Sequence, residues 1–196
     1  MKNSIWITLG AIVLFIAVLS MSFANIYNSM VSKQEEVTAK WAQVENQYQR
    51  RADLIPNLVN TVQGYAQHEK STLDAVISAR AKATSTNVYL GKEGSLANFN
   101  KAQGELSSAL SRLMVVSERY PDLKANVNFS QLQAQLEGTE NRISVERKRY
   151  NDSAKDYNRY IRKFPNNVVK GMFDFEKLPY FESKEGTDIA PVVKFN

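Results

Sequence analysis

From Ile5 to Ala24 the chain reads IWITLGAIVLFIAVLSMSFA, and no charged side chain occurs between Lys2 and Lys33. A helix of that length rises about 1.5 Å per residue and spans roughly 30 Å, the thickness of a bilayer's hydrocarbon. The run is apolar on every face, so it has no polar side to turn to water, as a helix at the surface of a soluble core would. Trp6 and Tyr27 flank it, where amphipathic rings suit the headgroup zone. The spacing predicts a transmembrane helix over residues 5–24 behind a short N-terminal flank, residues 1–4. A cleaved leader is the alternative, with Lys2 as its basic start and Ser22-Phe23-Ala24 placing small residues at −3 and −1 of a cut after Ala24. The run is long for a leader's apolar core, which favours an uncleaved anchor. Lys2 on one side and Lys33 and Lys40 on the other leave the positive-inside count near a tie.

That segment divides the composition into two populations. The chain has 196 residues, 43% of them hydrophobic and 23% charged, with net charge +5. One of those charges is Lys2, so the rest of the chain carries +4. There is no Cys and only one His. Disulfides, thiolate sites and Cys nucleophiles are thereby excluded, as are zinc sites built from several His.

Beyond Asn25 the apolar residues fall in stripes close to a seven-residue period. Tyr27, Gln34, Trp41, Tyr48, Ile55 and Val62 form one row; Met30, Val37, Val44, Arg51, Leu58 and Tyr65 form its companion. Such paired rows make a packing seam. Pro56 lies inside it and cannot donate to the carbonyl of Ala52. Because the apolar phase continues across it, a kinked helix is expected rather than a break with Asp53 as a new N-cap. His68-Glu69-Lys70-Ser71-Thr72 is polar enough for a turn. Leu73, Val76, Ile77 and Arg80 resume a helical face, and Ser85–Ser95 reads as a loop. Leu96, Phe99, Ala102, Leu106, Leu110, Leu113 and Tyr120 give a further stripe up to Pro121. Phe129, Leu132, Leu136, Ile143, Tyr150, Tyr157, Ile161 and Phe164 give the last, up to Pro165. No stretch alternates with period two. The expected fold is all-α, with residues 25–164 forming an antiparallel bundle of three or four helices with coiled-coil-like seams. Residues 165–196 are aromatic-rich, with Phe173, Phe175, Tyr180 and Phe181. They are expected to fold back as a clasp, or else to form a surface for a partner or the bilayer interface.

The residues also carry a family pattern. W-x-x-V-x-x-Q-x-x-R-R-x-D-L-I-P-N-L-V runs from Trp41 to Val59, followed by V-x-x-Y-x-x-H-E from Val62 to Glu69. L-E-G-T-E-N-R-I follows at Leu136–Ile143, then Arg147, Tyr150-Asn151, Tyr157-Asn158, Phe164-Pro165 and Phe181-Glu182. With the N-terminal apolar helix, this closely resembles the LemA family of bacterial membrane proteins. The resemblance implies a helical body tethered by one N-terminal helix in the cell (inner) membrane, the short N-terminus outside and the body in the cytoplasm. It implies no substrate.

Arg50, Arg51, Asp53 and Asn57 surround the proline, and Arg51 lies on the seam, where a cation calls for an acidic partner. Glu137 and Glu140 of the last helix are the candidates. Arg51→Ala is then expected to destabilise the protein by a few kcal/mol through a stranded carboxylate. The bland account of the cluster is a structural network that fixes helix register; the sharper one is a recognition site. His68-Glu69 lacks the paired Glu-x-x-His pattern of di-metal bundles and reads as a turn. Gly91, Gly94 and Gly104 form no phosphate loop. Arg142, Arg147, Lys148, Arg149, Lys155, Arg159, Arg162 and Lys163 make one face basic. It is expected to be a solvated face with local ion pairs, with anionic lipid as the alternative. Its tyrosines belong to the packing stripe, so no nucleic acid is expected. No cofactor, metal or enzymatic activity is expected. The expected partners are the bilayer, through residues 5–24, and a second copy or another membrane-associated protein. The function expected is a membrane-tethered scaffold or interaction module, alternatively an accessory in membrane protein quality control or envelope maintenance.

Overall fold

The apolar N-terminal run and the first seam share one helical phase, and nothing in the sequence between them interrupts it. In the computed structural model, which describes residues 2–182, they form a single helix, α1, Lys2–Tyr65. Pro56 lies inside it, so the helix neither ends at Asp53 nor restarts there. A turn over Ala66–Glu69 leads into α2, Lys70–Ser85. Gly94, with φ of 74°, takes the left-handed position that opens α3, Ser95–Ser117; glycine has no Cβ to clash there. Pro121 starts the one-turn helix α4, Pro121–Lys124, where its missing N–H costs nothing. Then come α5, Val127–Arg162, and α6, Asn166–Met172. The described residues contain no strand. The fold is all-α.

The chain forms two compact units, Met1–Leu54 with Gln133–Leu178 and Ile55–Leu132 with Pro179–Asn196. In the first, α1 and α5 run antiparallel, and the contacts fix the register. Arg51 meets Glu140, Trp41 meets the ring of Tyr150, and Lys33 lies over the ring of Tyr160. Met30, Val37, Trp41, Val44 and Tyr48 from α1 are buried, as are Leu136, Ile143, Tyr150, Ala154, Tyr157 and Ile161 from α5. Period-seven residues of two antiparallel helices thus interdigitate along one seam. Phe164, beyond the end of α5, leaves the stripe and is 82% exposed.

The second unit draws its buried residues from shorter pieces. Ile55, Leu58, Val59 and Val62 come from α1, Leu73, Val76 and Ala83 from α2, and Phe99, Leu106 and Leu113 from α3. Leu123, Phe129 and Phe181 add to them. Helices α2 and α3 pack on each other, and Lys82 pairs with Glu105 between them at 2.6 Å. Tyr65 closes the row in the sequence but is largely exposed here, accepting a hydrogen bond at its hydroxyl from the Asn126 amide at 2.9 Å.

The large apolar side chains from Trp6 to Met21 are exposed. This segment of α1 belongs to a helix long and apolar enough to cross a membrane, and none of its most apolar stretch is buried within the protein.

Candidate functional site

Seam positions admit a polar residue only if its head finds partners, and Arg51 finds them. Its guanidinium donates to Glu140 at 2.8 Å (Nη1 to Oε2) and lies over the Tyr48 ring, 5.1 Å from its centroid. Burial is one-sided: Arg51 is 3% exposed and Glu140 60%. The expected stranded carboxylate is therefore the wrong end of the pair, because Glu140 already faces water and the buried charge is the cation. Burial pushes the Tyr48 phenol up from its ordinary value. The cations of Arg147 and Arg51 and a hydrogen bond from Arg147 work against that shift, and the Glu140 charge adds to it. Arg147 and Tyr48 thus extend the Arg51–Glu140 pair, and neither was among the residues singled out around the proline.

The other candidates do not join this cluster. Asp53 is exposed and accepts from the Gln49 amide one turn earlier at 2.7 Å. Arg50 and Asn57 face outward. Glu137 is exposed and accepts from Gln133 at 3.1 Å.

The aromatic residues after α6 separate in the same way. Phe173 lies 4.7 Å from the ring of Tyr27 and 5.9 Å from that of Phe23, centroid to centroid. Phe175 meets Tyr27 edge-on at 5.6 Å and is buried. Three residues on, Asn158 of α5 holds the chain by both ends of its amide. Its Nδ2 donates to the Leu178 carbonyl at 2.8 Å, and its Oδ1 accepts from the Leu178 N–H at 2.9 Å. Asn158 and Leu178 are 1% and 4% exposed, so both bonds are dry. In the second unit Tyr180 is half-buried and Phe181 buried. Composition could not single out Asn158. Its signals were its place in the family pattern and beside Tyr157, on the inward face of a seam where an unpartnered amide would be costly.

Residues 40–195 match the family model described as the LemA family. The chain belongs to the LemA family. Its relatives include magnetosome proteins MamQ 1 and MamQ 2 of Paramagnetospirillum magneticum, each 29% identical over 95% of this chain and 74% of their own length. Magnetosome protein MamQ of Magnetospirillum gryphiswaldense is 28% identical over the same shares. With its apolar helix, this LemA protein is a membrane-associated helical protein.

Within it, the segment Arg50–Val59 divides by side of the helix. Arg51, Ala52, Ile55, Leu58 and Val59 are buried, while Arg50, Asp53 and Asn57 face solvent. His68 is exposed in the turn after α1. Glu69 beside it accepts from Arg119 at 2.9 Å and from the Tyr120 hydroxyl at 3.2 Å. Burial, the Glu69 hydrogen bond and the Glu69 charge push the Tyr120 phenol up, against the Arg119 cation. No three His, Cys, Asp or Glu residues converge among the described residues. The basic face of α5 carries local pairs, Arg149 to Glu146 at 2.6 Å and Arg159 to Asp156 at 2.8 Å.

Proposed function

We propose that this LemA protein is a single-pass, non-catalytic helical scaffold that holds an interaction module at the membrane as an oligomer. The observation behind the reading is α1 itself. A helix whose most apolar stretch is not buried within the protein continues without a break into a packed helical body. An uncut α1 is what couples the anchor to that body. The buried charged cluster supports a structural role, because Arg51, Glu140, Tyr48 and Arg147 face one another across the α1–α5 seam. In this reading residues 1–4 flank the span, residues 5–24 cross the cell membrane and residues 25–164 form the cytoplasmic body. The described part of the segment after Pro165, up to residue 182, folds back as a clasp; the rest of residues 165–196 lies outside the described residues.

Two measurements test it. Mass determination of the full chain in mild detergent is expected to give an oligomer; a monomer at every concentration would remove that part. The chain has no Cys, so Glu45→Cys, at an exposed site of the body, reports topology cleanly. It is expected to resist an impermeant thiol reagent on intact cells and react after permeabilisation. Labelling of intact cells would overturn the cytoplasmic placement.

A further inference from the structure

The pairing of α1 with α5 sets the height of every residue in the first unit along α1. Tyr160 stands at the level of Lys33. Phe173 stands at the level of Phe23 and Tyr27, beside the end of the apolar run. Asn158 then holds Leu178 back down the helix, below Tyr160. Helix α6 therefore belongs to the stretch of chain that leads from the level of Lys33 to the end of the apolar run, which Phe173 meets.

Its residues face both ways. Val169 and Asn166 are buried against the protein. Val168 and Met172, one turn apart on the same side, are 54% and 67% exposed. Phe164 is 82% and Phe173 42% exposed. Among the other described residues after residue 24 the large exposed apolar side chains stand apart along the chain, as at Val115, Val127 and Val145. Clustered apolar exposure of this kind marks a contact surface. Lys163 is exposed beside it and Lys170 half-exposed, the mixture of charge and apolar side chains that interfacial segments carry.

We propose that α6 and its flanks are a second membrane contact, with Phe164, Val168 and Met172 dipping into the headgroup–acyl boundary of the bilayer that α1 crosses. The occupant is the membrane, because the patch is continuous with the span: Phe173 joins it to Phe23 and Tyr27 through ring contacts. The inference rests on the reading of α1 as a transmembrane helix. The contact seats the body upright against the surface, so that α1 does not act as a free tether.

The experiment uses the full chain in lipid vesicles, with single substitutions Phe164→Cys, Val168→Cys and Met172→Cys carrying a fluorescent label. All three sites are exposed, so the fold tolerates them, and unchanged helical content verifies this. Ile16→Cys reports the span and Val145→Cys the water-facing body. The labels at 164, 168 and 172 are expected to be quenched several-fold more by nitroxide lipid than the label at 145, and shielded from aqueous iodide. If Ile16 is quenched by lipid while all three remain open to iodide, the interfacial contact is overturned and the span stands. If Ile16 itself is open to iodide, the span reading fails first. Protection at 168 and 172 that vanishes on dilution of protein in lipid assigns the patch to a second copy and also overturns the proposal.

Discussion

Asn158→Ala removes a clamp whose energy can be worked from its geometry. The amide makes two hydrogen bonds of 2.8 and 2.9 Å to one residue, both buried. Each contributes about 1 kcal/mol net in a typical protein, and each buried backbone group left unpaired costs about 1–3 kcal/mol. The substitution strands both the N–H and the carbonyl of Leu178. The segment can escape part of that cost by lifting off, at the expense of the buried Phe175 and Leu178. A loss of about 2–4 kcal/mol in local stability is expected, which is roughly 30- to 900-fold faster amide exchange around Leu178. Exchange along the α1–α5 seam should change far less. Hydrogen exchange of the full chain in detergent or vesicles measures both. Asn158→Asp is the sharper variant, because it keeps the size and the acceptor but sets a second oxygen against the Leu178 carbonyl. It should release the segment at least as readily as alanine. Unchanged protection at Leu178 in the alanine variant would refute the clamp, and retention in aspartate alone would show that the acceptor, not the amide donor, holds the chain.

Two further outcomes follow from the same seam. Arg51 is buried and Glu140 exposed, so Glu140→Ala, which leaves the buried cation short of its counter-charge, should cost about 2 kcal/mol. Arg51→Met keeps the volume and lets the carboxylate hydrate, and should cost about 1 kcal/mol or less. Thermal unfolding decides between them, and the reverse order would refute the one-sided pair. Tyr157 is 1% exposed, and burial, with the Glu176 charge adding to it, pushes its phenol up to about 12. The folded state then holds a proton that the unfolded state gives up near pH 10. This contribution is whole below pH 10 and is lost as pH rises from about 10 to 12. Ultraviolet titration should show, beside the raised phenols of Tyr48 and Tyr120, a late phenol that Tyr157→Phe abolishes along with part of the alkaline loss of stability; an unchanged alkaline profile would contradict it.

The periodicity specified faces more securely than partners. Met30, Val37, Trp41, Val44, Tyr48, Arg51, Ile55, Leu58 and Val62 are buried as the two rows require. A side chain at that spacing has no choice of face once the helix forms. The ends of the rows were less legible. Tyr65 and Phe164 continue the phase but lie where their helices stop, and a stripe buries nothing beyond its neighbour's last turn. Arg51 was recognisable as a cation that needs a partner. Glu137 and Glu140, three apart, are neighbours on a helix surface, so spacing could not choose between them.

By itself the sequence determined a run long and apolar enough to cross a membrane, the helical class and the lack of thiol and multi-histidine chemistry, because each follows from local content: an uncharged twenty-residue apolar run, a seven-residue period, no Cys and one His. The family pattern was likewise a property of residues in order. Tertiary structure alone decided that Glu140 answers Arg51, that Arg147 reaches Tyr48, and that Asn158 holds Leu178 twenty residues away. It alone brought Phe173 beside Phe23 at the end of the apolar run. These are choices between segments distant in sequence. They depend on the register in which two antiparallel helices lock together, and no local pattern records that register until the side chains of both have been packed.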